Sequence, residues 1–143
     1  MDKDRAFQTA KVAGWAAVFF LLVYVDQAFK VLAKNPFLNG NFAFSLPLPT
    51  WLIYLVYALV LCFAATYLFR QRRQMGVWQG IGWLLIWAGA FSNIGERIVL
   101  GHVRDFIYIT LFGQTGIYNL ADGYILLGII ILLLKEKQTK KPV

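Results

Sequence analysis

The sequence predicts an all-α membrane protein, a bundle of four transmembrane helices with a small β-like interfacial outer segment. Three observations carry that reading. The 143 residues are 59% hydrophobic and 17% aromatic but only 15% charged, too little polar surface for a water-soluble domain of this length. The apolar residues fall into four runs, each long enough as a helix, at about 1.5 Å per residue, to cross a hydrocarbon core of about 30 Å. Lys and Arg gather on one side of those runs. A single domain over 1–143 follows.

The first run, Val12 to Val25, is free of charge and continues through Asp26 and Lys30 to Ala33. A helix over about 10–33 is expected, after a short, frayed, charged lead-in. A basic start and an apolar core also describe a secretory signal peptide. This run is longer and ends in Asp26 and Lys30 rather than small residues, so it reads as a retained span. The turn-rich residues Asn35 to Asn41 lead into the β-prone Phe42 to Leu46, then Pro47 and Pro49. This outer segment, about 34–50, is too apolar for a solvated loop. It is placed in the bilayer interface as a small hairpin or sheet. The second helix, about 51–70, starts at Trp51, an interfacial residue type, and is uncharged through Phe69. The third, about 77–97, is uncharged through Gly95 and carries Trp78, Trp83 and Trp87. A second outer segment, about 98–116, precedes the fourth helix, about 117–135, whose apolar run holds one charge, Asp122.

Orientation follows from the cations. Lys3, Arg5 and Lys11 precede the first helix, Arg70, Arg72 and Arg73 separate the second and third, and Lys135, Lys137, Lys140 and Lys141 follow the fourth. These ten fall on one side, which the positive-inside rule makes cytoplasmic together with both termini. Lys30, Lys34, Arg97 and Arg104 fall at the other end. Topology therefore explains the net charge of +7, and no nucleic acid is expected as a partner. Cys62, the single cysteine, cannot form an internal disulfide and reads as a small apolar filler. One Cys and one His cannot supply four zinc ligands. Neither a Gly-rich phosphate loop nor a Ser elbow is present. No metal, nucleotide or organic cofactor is called for.

The polar residues inside this apolar chain need explaining, because ionisable groups at membrane depth are costly and commonly functional. Asp26 and Lys30, at i and i+4, can pair with the acid toward the N-terminus. They either secure the helix end or clasp the outer loop. Asn93 and Arg97 share a face one turn apart, with Glu96 beside them and Gly89 one turn earlier, where a small residue admits a neighbouring helix. They form either an interhelical hydrogen-bond clamp or a support for a nearby acidic site. His102 reads as an interfacial side chain. Asn119 and Asp122 share one face of the fourth helix. Asp122 lies about a turn inside the apolar run and so needs a cation or a second carboxylate that shares its proton. Arg97 offers the first and Asp105 the second. Two carboxylates in contact cannot both ionise, so one can take a proton from water while the other gives one to a carbonyl oxygen. Peptide hydrolysis needs that division of labour.

With these motifs in order, the chain resembles the signal peptidase II family, the bacterial lipoprotein signal peptidases, over nearly its whole length. The family's first motif resembles Asp26 and Lys30. Its second resembles Asn39 through Ala43-Phe44-Ser45, its third Gly89 to Arg97, its fourth Val103-Arg104-Asp105-Phe106-Ile107, and its fifth Tyr118-Asn119-Leu120-Ala121-Asp122 with Ile125 and Gly128. The resemblance implies Asp105 and Asp122 as the catalytic aspartates of an aspartic endopeptidase. Asn39, Asn93, Arg97, Asn119, Asp26, Lys30 and Glu96 would bind substrate or support the site. It also implies the reaction, removal of the signal peptide from a diacylglyceryl-modified prolipoprotein by a cut just before the lipidated cysteine. Phe42 to Leu46 would cradle the substrate and the 98–116 connection would act as a lid. The location implied is the bacterial cytoplasmic (inner) membrane, with the active site at the outer face, membrane lipid around it and the chain acting as a monomer. The chain departs from the motifs at Asn41, Phe42 and Tyr118. It also has Ser92 where Gly is usual and Glu96 where Asp is usual, so the pairing of Glu96 with Arg97 or Lys30 must differ. Two further readings stay open on the residues alone: a non-catalytic relative that binds lipopeptide or another membrane protein, and a small proton or ion conductor using the buried acids.

Overall fold

The computed structural model describes residues 3–40, 48–71 and 75–139. Helices and short strands follow in the order α1 (Lys3–Leu32), β1 (Phe37–Asn39), α2 (Thr50–Gln71), α3 (Val77–Leu100), β2 (Val103–Asp105), β3 (Ile107–Leu111), β4 (Gln114–Tyr118) and α4 (Leu120–Thr139). The four expected helices are present, with shifted ends. α1 is already helical at Lys3, so the lead-in is not frayed there. Its residues are good helix formers, no Gly or Pro precedes Gly14, and the Thr9 hydroxyl donates back to the Arg5 carbonyl at 2.8 Å. α3 runs on to Leu100 and stops at Gly101, whose φ of 78° is one glycine adopts without steric cost and whose N–H closes on the Arg97 carbonyl at 2.9 Å. α4 starts at Leu120 rather than 117 because Ile117 and Tyr118 belong to β4, paired with Tyr108 and Ile107.

The outer segments are less local than the sequence suggests. β1 pairs antiparallel with β2, Phe37 opposite Asp105 and Asn39 opposite Val103. The strand at 37–39 therefore finds its partner more than sixty residues along the chain rather than in its own segment. The residues expected to form a hairpin or cradle, Phe42 to Leu46, lie outside the described residues, as do Asn41, Arg72, Arg73, Lys140 and Lys141. The 98–116 connection holds the end of α3, then β2 and most of a second ribbon, β3 against β4. That ribbon turns through Phe112 and Gly113, both at positive φ.

α3 is the centre of the bundle. Its partner α4 approaches along a seam of small residues, Gly82 and Gly89 facing Gly128 and Ala121. A Cβ at Gly89 would run into the Ala121 carbonyl oxygen and come within 2.8 Å of Ile125 Cγ1. The repeat of seven on both helices keeps the small residues on one stripe, as close helix packing in a membrane requires. α1 covers another face of α3, with Phe19 edge-on to Phe91 at 5.7 Å between ring centroids. α2 meets α3 through Tyr67 against Trp83.

Polarity is inverted relative to a soluble protein. Asp26, Lys30, Ser92, Glu96, Arg97, Asp105 and Asn119 are all buried, while Phe63 is 72% and Phe20 64% exposed. Such an exterior suits hydrocarbon rather than water. Among the described residues, two helices qualify by length and composition as membrane spans, Phe7–Leu32 and Trp51–Gln71, with mean hydropathies of 1.7 and 2.3. The other two are diluted, α3 by Trp, Gly and Asn93 and α4 by charges at both ends.

Candidate active site

The polar interior sits where α1, α3, the start of α4 and the β1–β2 ribbon meet. Each element brings its residues there for a local reason. β2 alternates, so Val103 and Asp105 point inward while Arg104 leaves on the opposite face. Asn119 and Asp122 form the opening of α4. The Asp122 backbone N–H donates to Asn119 Oδ1 at 3.1 Å, and the Asn119 N–H donates to Asp122 Oδ2 at 3.1 Å. This is a reciprocal capping box with Asn119 as N-cap and Asp122 three residues on. It fixes the Asp122 carboxylate by the geometry of the helix start itself.

Asn119 also reaches the other acid. Its Nδ2 donates to Asp105 Oδ1 at 2.6 Å, so one residue touches both carboxylates and brings them to the same spot. Because Oδ1 of Asn119 is occupied by the Asp122 N–H, the amide can only present its NH2 to Asp105. Asn39, from β1, donates to the second Asp105 oxygen at 2.9 Å, and Asn93, from α3, donates to Asp122 Oδ1 at 2.9 Å. Every oxygen of both acids thus receives one N–H and keeps a further lone pair. Burial pushes the Asp105 carboxyl above the ordinary carboxylate range. The amides of Asn39 and Asn119 pull it part of the way back, as do the charges of Lys30 and Arg97.

Behind the acids lies a chain of buried charge. Lys30 lies 2.8 Å from Asp26 Oδ2 and 3.0 Å from Glu96 Oε2, and donates to Asn93 Oδ1 at 2.7 Å. That last bond sets the direction of the Asn93 amide, leaving its NH2 for Asp122. Asp26 accepts from the Ser92 hydroxyl at 2.6 Å and from the Ala121 backbone N–H at 2.9 Å, a second donor of the α4 start. Gln27 donates to the Ser92 oxygen at 2.8 Å. Glu96 also pairs with Arg104. Arg97 turns the other way, donating to the Tyr57 hydroxyl and, at 3.2 Å, to the Asn39 carbonyl, while its own carbonyl accepts from Tyr54.

All nine residues singled out by the sequence fall in this one network. The Asp26–Lys30 pair is more than a helix-end clasp, since it reaches α3 and α4. Asn93 supports the acidic site directly. Arg97, one of the two partners open to Asp122 on the sequence, donates to Tyr57 and to β1. Of the two cations considered for Glu96, Lys30 pairs with it, and so does Arg104, which sequence reasoning did not single out. Tyr54, Tyr57 and Gln27 were missed too. The hydroxyls at 54 and 57, three apart in the apolar first half of α2, were the available signal.

The amino-acid sequence from 18 to 137 matches the family model described as signal peptidase (SPase) II. The lipoprotein signal peptidase of Nostoc punctiforme is 30% identical over 148 aligned residues, covering 95% of this chain and 92% of that one. That of Streptococcus pneumoniae is 29% identical over 87% of this chain and 72% of its own. A solved structure described as a bacterial membrane enzyme, determined by the in meso method, superposes with a TM-score of 0.72 at 23% identity, covering 92% of this chain and 94% of that one. The last likeness shows the fold.

Proposed function

The chain belongs to the signal peptidase II family, and on that premise we propose that it works as an aspartic peptidase with Asp105 and Asp122 as its catalytic pair. The substrate is a diacylglyceryl-modified prolipoprotein, cut at the peptide bond before the lipidated cysteine. The observation that carries this reading is the double reach of Asn119, whose amide holds Asp105 and whose backbone N–H holds Asp122.

A water gripped by both acids needs each within about 2.6–3.2 Å. One carboxylate takes a proton from that water as its oxygen attacks the scissile carbonyl. The other, protonated, gives its proton to the carbonyl oxygen. The tetrahedral intermediate then collapses: the C–N bond breaks, the nitrogen leaves with the proton first taken from water, and the second carboxylate recovers the hydroxyl proton. The pair titrates as a unit. Burial of Asp105, with Asn119 touching both acids, supports the shared proton, because two neighbouring carboxylates cannot both ionise.

All four helices cross the bacterial inner membrane in this reading, with both termini cytoplasmic and the acids at the outer face. The exposed apolar surface of α1 and α2 and the clustering of basic residues support it. The chain acts as a monomer with membrane lipid around it. The test is cleavage of a lipidated precursor by purified protein. Asp105→Asn and Asp122→Asn should each lower turnover by about a thousandfold or more while still binding precursor. Parental turnover in either variant would refute the assignment.

A further inference from the structure

We propose that Arg104 and Glu96 are positioning residues that hold β2 from behind and so set where the Asp105 carboxylate meets Asp122. The inference rests on the catalytic pair proposed above.

Asp105 is gripped from the front by Asn39 and Asn119. Two amide hydrogen bonds orient a carboxylate but do not fix a three-residue strand, which, among the described residues, is paired along one edge, by β1. Arg104, the preceding residue, projects from the opposite face of β2 and pairs with Glu96 on α3. It lines the groove of about 340 Å³ between α1 and α3, alongside Gln27 and Ser92, not the space in front of the acids. The next residue on α3, Arg97, donates to the Asn39 carbonyl and so grips β1. Consecutive residues of one helix thus clamp both strands of the ribbon.

The anchor extends to the second acid. Glu96 is joined through Lys30 to Asp26, and Asp26 accepts the N–H of Ala121, the residue just before Asp122. An alternating chain of charge therefore runs from the residue before one aspartate to the residue before the other. Its length fixes the gap that the water must fill. The Glu side chain at 96, where the family's motif usually has Asp, explains why this chain can bridge two cations. A carboxylate drawn back by one methylene, about 1.5 Å, cannot reach Lys30 and Arg104 together. Ser92, the other departure in that motif, adds its hydroxyl to Asp26 in the same cluster.

The test is steady-state cleavage of a lipidated precursor by Arg104→Met, Arg104→Lys and Glu96→Asp, with Asp105→Asn and Asp122→Asn in parallel. Arg104→Met keeps the stem and leaves Glu96 paired with Lys30. A displacement on the scale of 1 Å predicts a fall in kcat of about tenfold or more with KM unchanged. Arg104→Lys should recover most of it. Parental kcat in Arg104→Met, a change confined to KM, or a loss that Arg104→Lys does not repair would overturn the inference. If Arg104→Met does not fold, Glu96→Asp decides, with reduced kcat expected and parental kcat overturning. Inactive Asn variants beside a fully active Arg104→Met would sink the positioning role alone. Active Asn variants would sink the catalytic pair itself.

Discussion

Replacing Lys30 with Met tests the buried charge chain most sharply. Lys30 is 1% exposed, and its ammonium lies 2.8 Å from Asp26 and 3.0 Å from Glu96 and donates to Asn93. Methionine preserves the stem and removes only the charge. Two carboxylates then lose their shared cation in a dry site. Breaking a buried pair from one side costs about 3–5 kcal/mol. The lower end applies here, because Asp26 keeps Ser92 and the Ala121 N–H, and Glu96 keeps Arg104. A loss of about 3 kcal/mol corresponds to a fall in thermal midpoint of roughly 10 °C. Circular dichroism of the purified protein in detergent measures it. The double variant Lys30→Met/Glu96→Gln should regain part of the loss, since it removes one orphaned charge. A single variant within about 1 kcal/mol of the parent would refute the reasoning, because two buried acids stripped of their shared cation cannot be that cheap.

Asn39→Ala should move the acid limb of kcat/KM to higher pH. The Asn39 amide favours the charged form of Asp105, so its loss lets burial lift that carboxyl further. One hydrogen bond to a carboxylate, at about 1.5–3 kcal/mol, is worth about one to two pH units, and a limb that stays put or moves down contradicts the assignment. Gly89→Leu should cost about 1–3 kcal/mol and lower cleavage by wedging α4 from α3, whereas Gly95→Ala, with open space around its Cβ, should be neutral or stabilising in the same melt. Phe112→Asn should stabilise the β3–β4 turn by about 1 kcal/mol, since Phe112 adopts a φ of 50° that Asn tolerates better.

Much of this architecture was legible because membranes make polarity informative. Apolar run lengths gave the helices, and the spacing of Asp26 with Lys30, and of Gly89 with Asn93, gave shared faces that the folded chain uses. The register at the start of α4 was misplaced by about one turn, although Asn119 and Asp122 carried the spacing of an N-cap and its reciprocal acid. Tyr118 and Ile117 hid it, being as acceptable in a strand as in a helix. The β1–β2 pairing was not legible: Phe37 and Asp105 are neighbours only through tertiary structure, and local propensity carries no such information. Arg104 was hidden for the same reason. Alternation puts it opposite Asp105, but only the packing of β2 on α3 shows what it meets.

The placement of the two acids also explains why stability and chemistry are tied together here. In a soluble enzyme, an apolar core holds the fold while polar residues are free to serve the site. In this chain the apolar side chains face outward, and lipid is as apolar as they are, so burying them between helices gains little. Specific cohesion falls to the small-residue seam and the polar interior. Asp122 belongs to the capping box of α4, and Asp105 lies in the strand that closes the ribbon. Elements that must be rigid for the bundle to close are therefore the ones that carry the two acids proposed to react, which gives a site on short strands and a helix start the precision that the proposed hydrolysis demands.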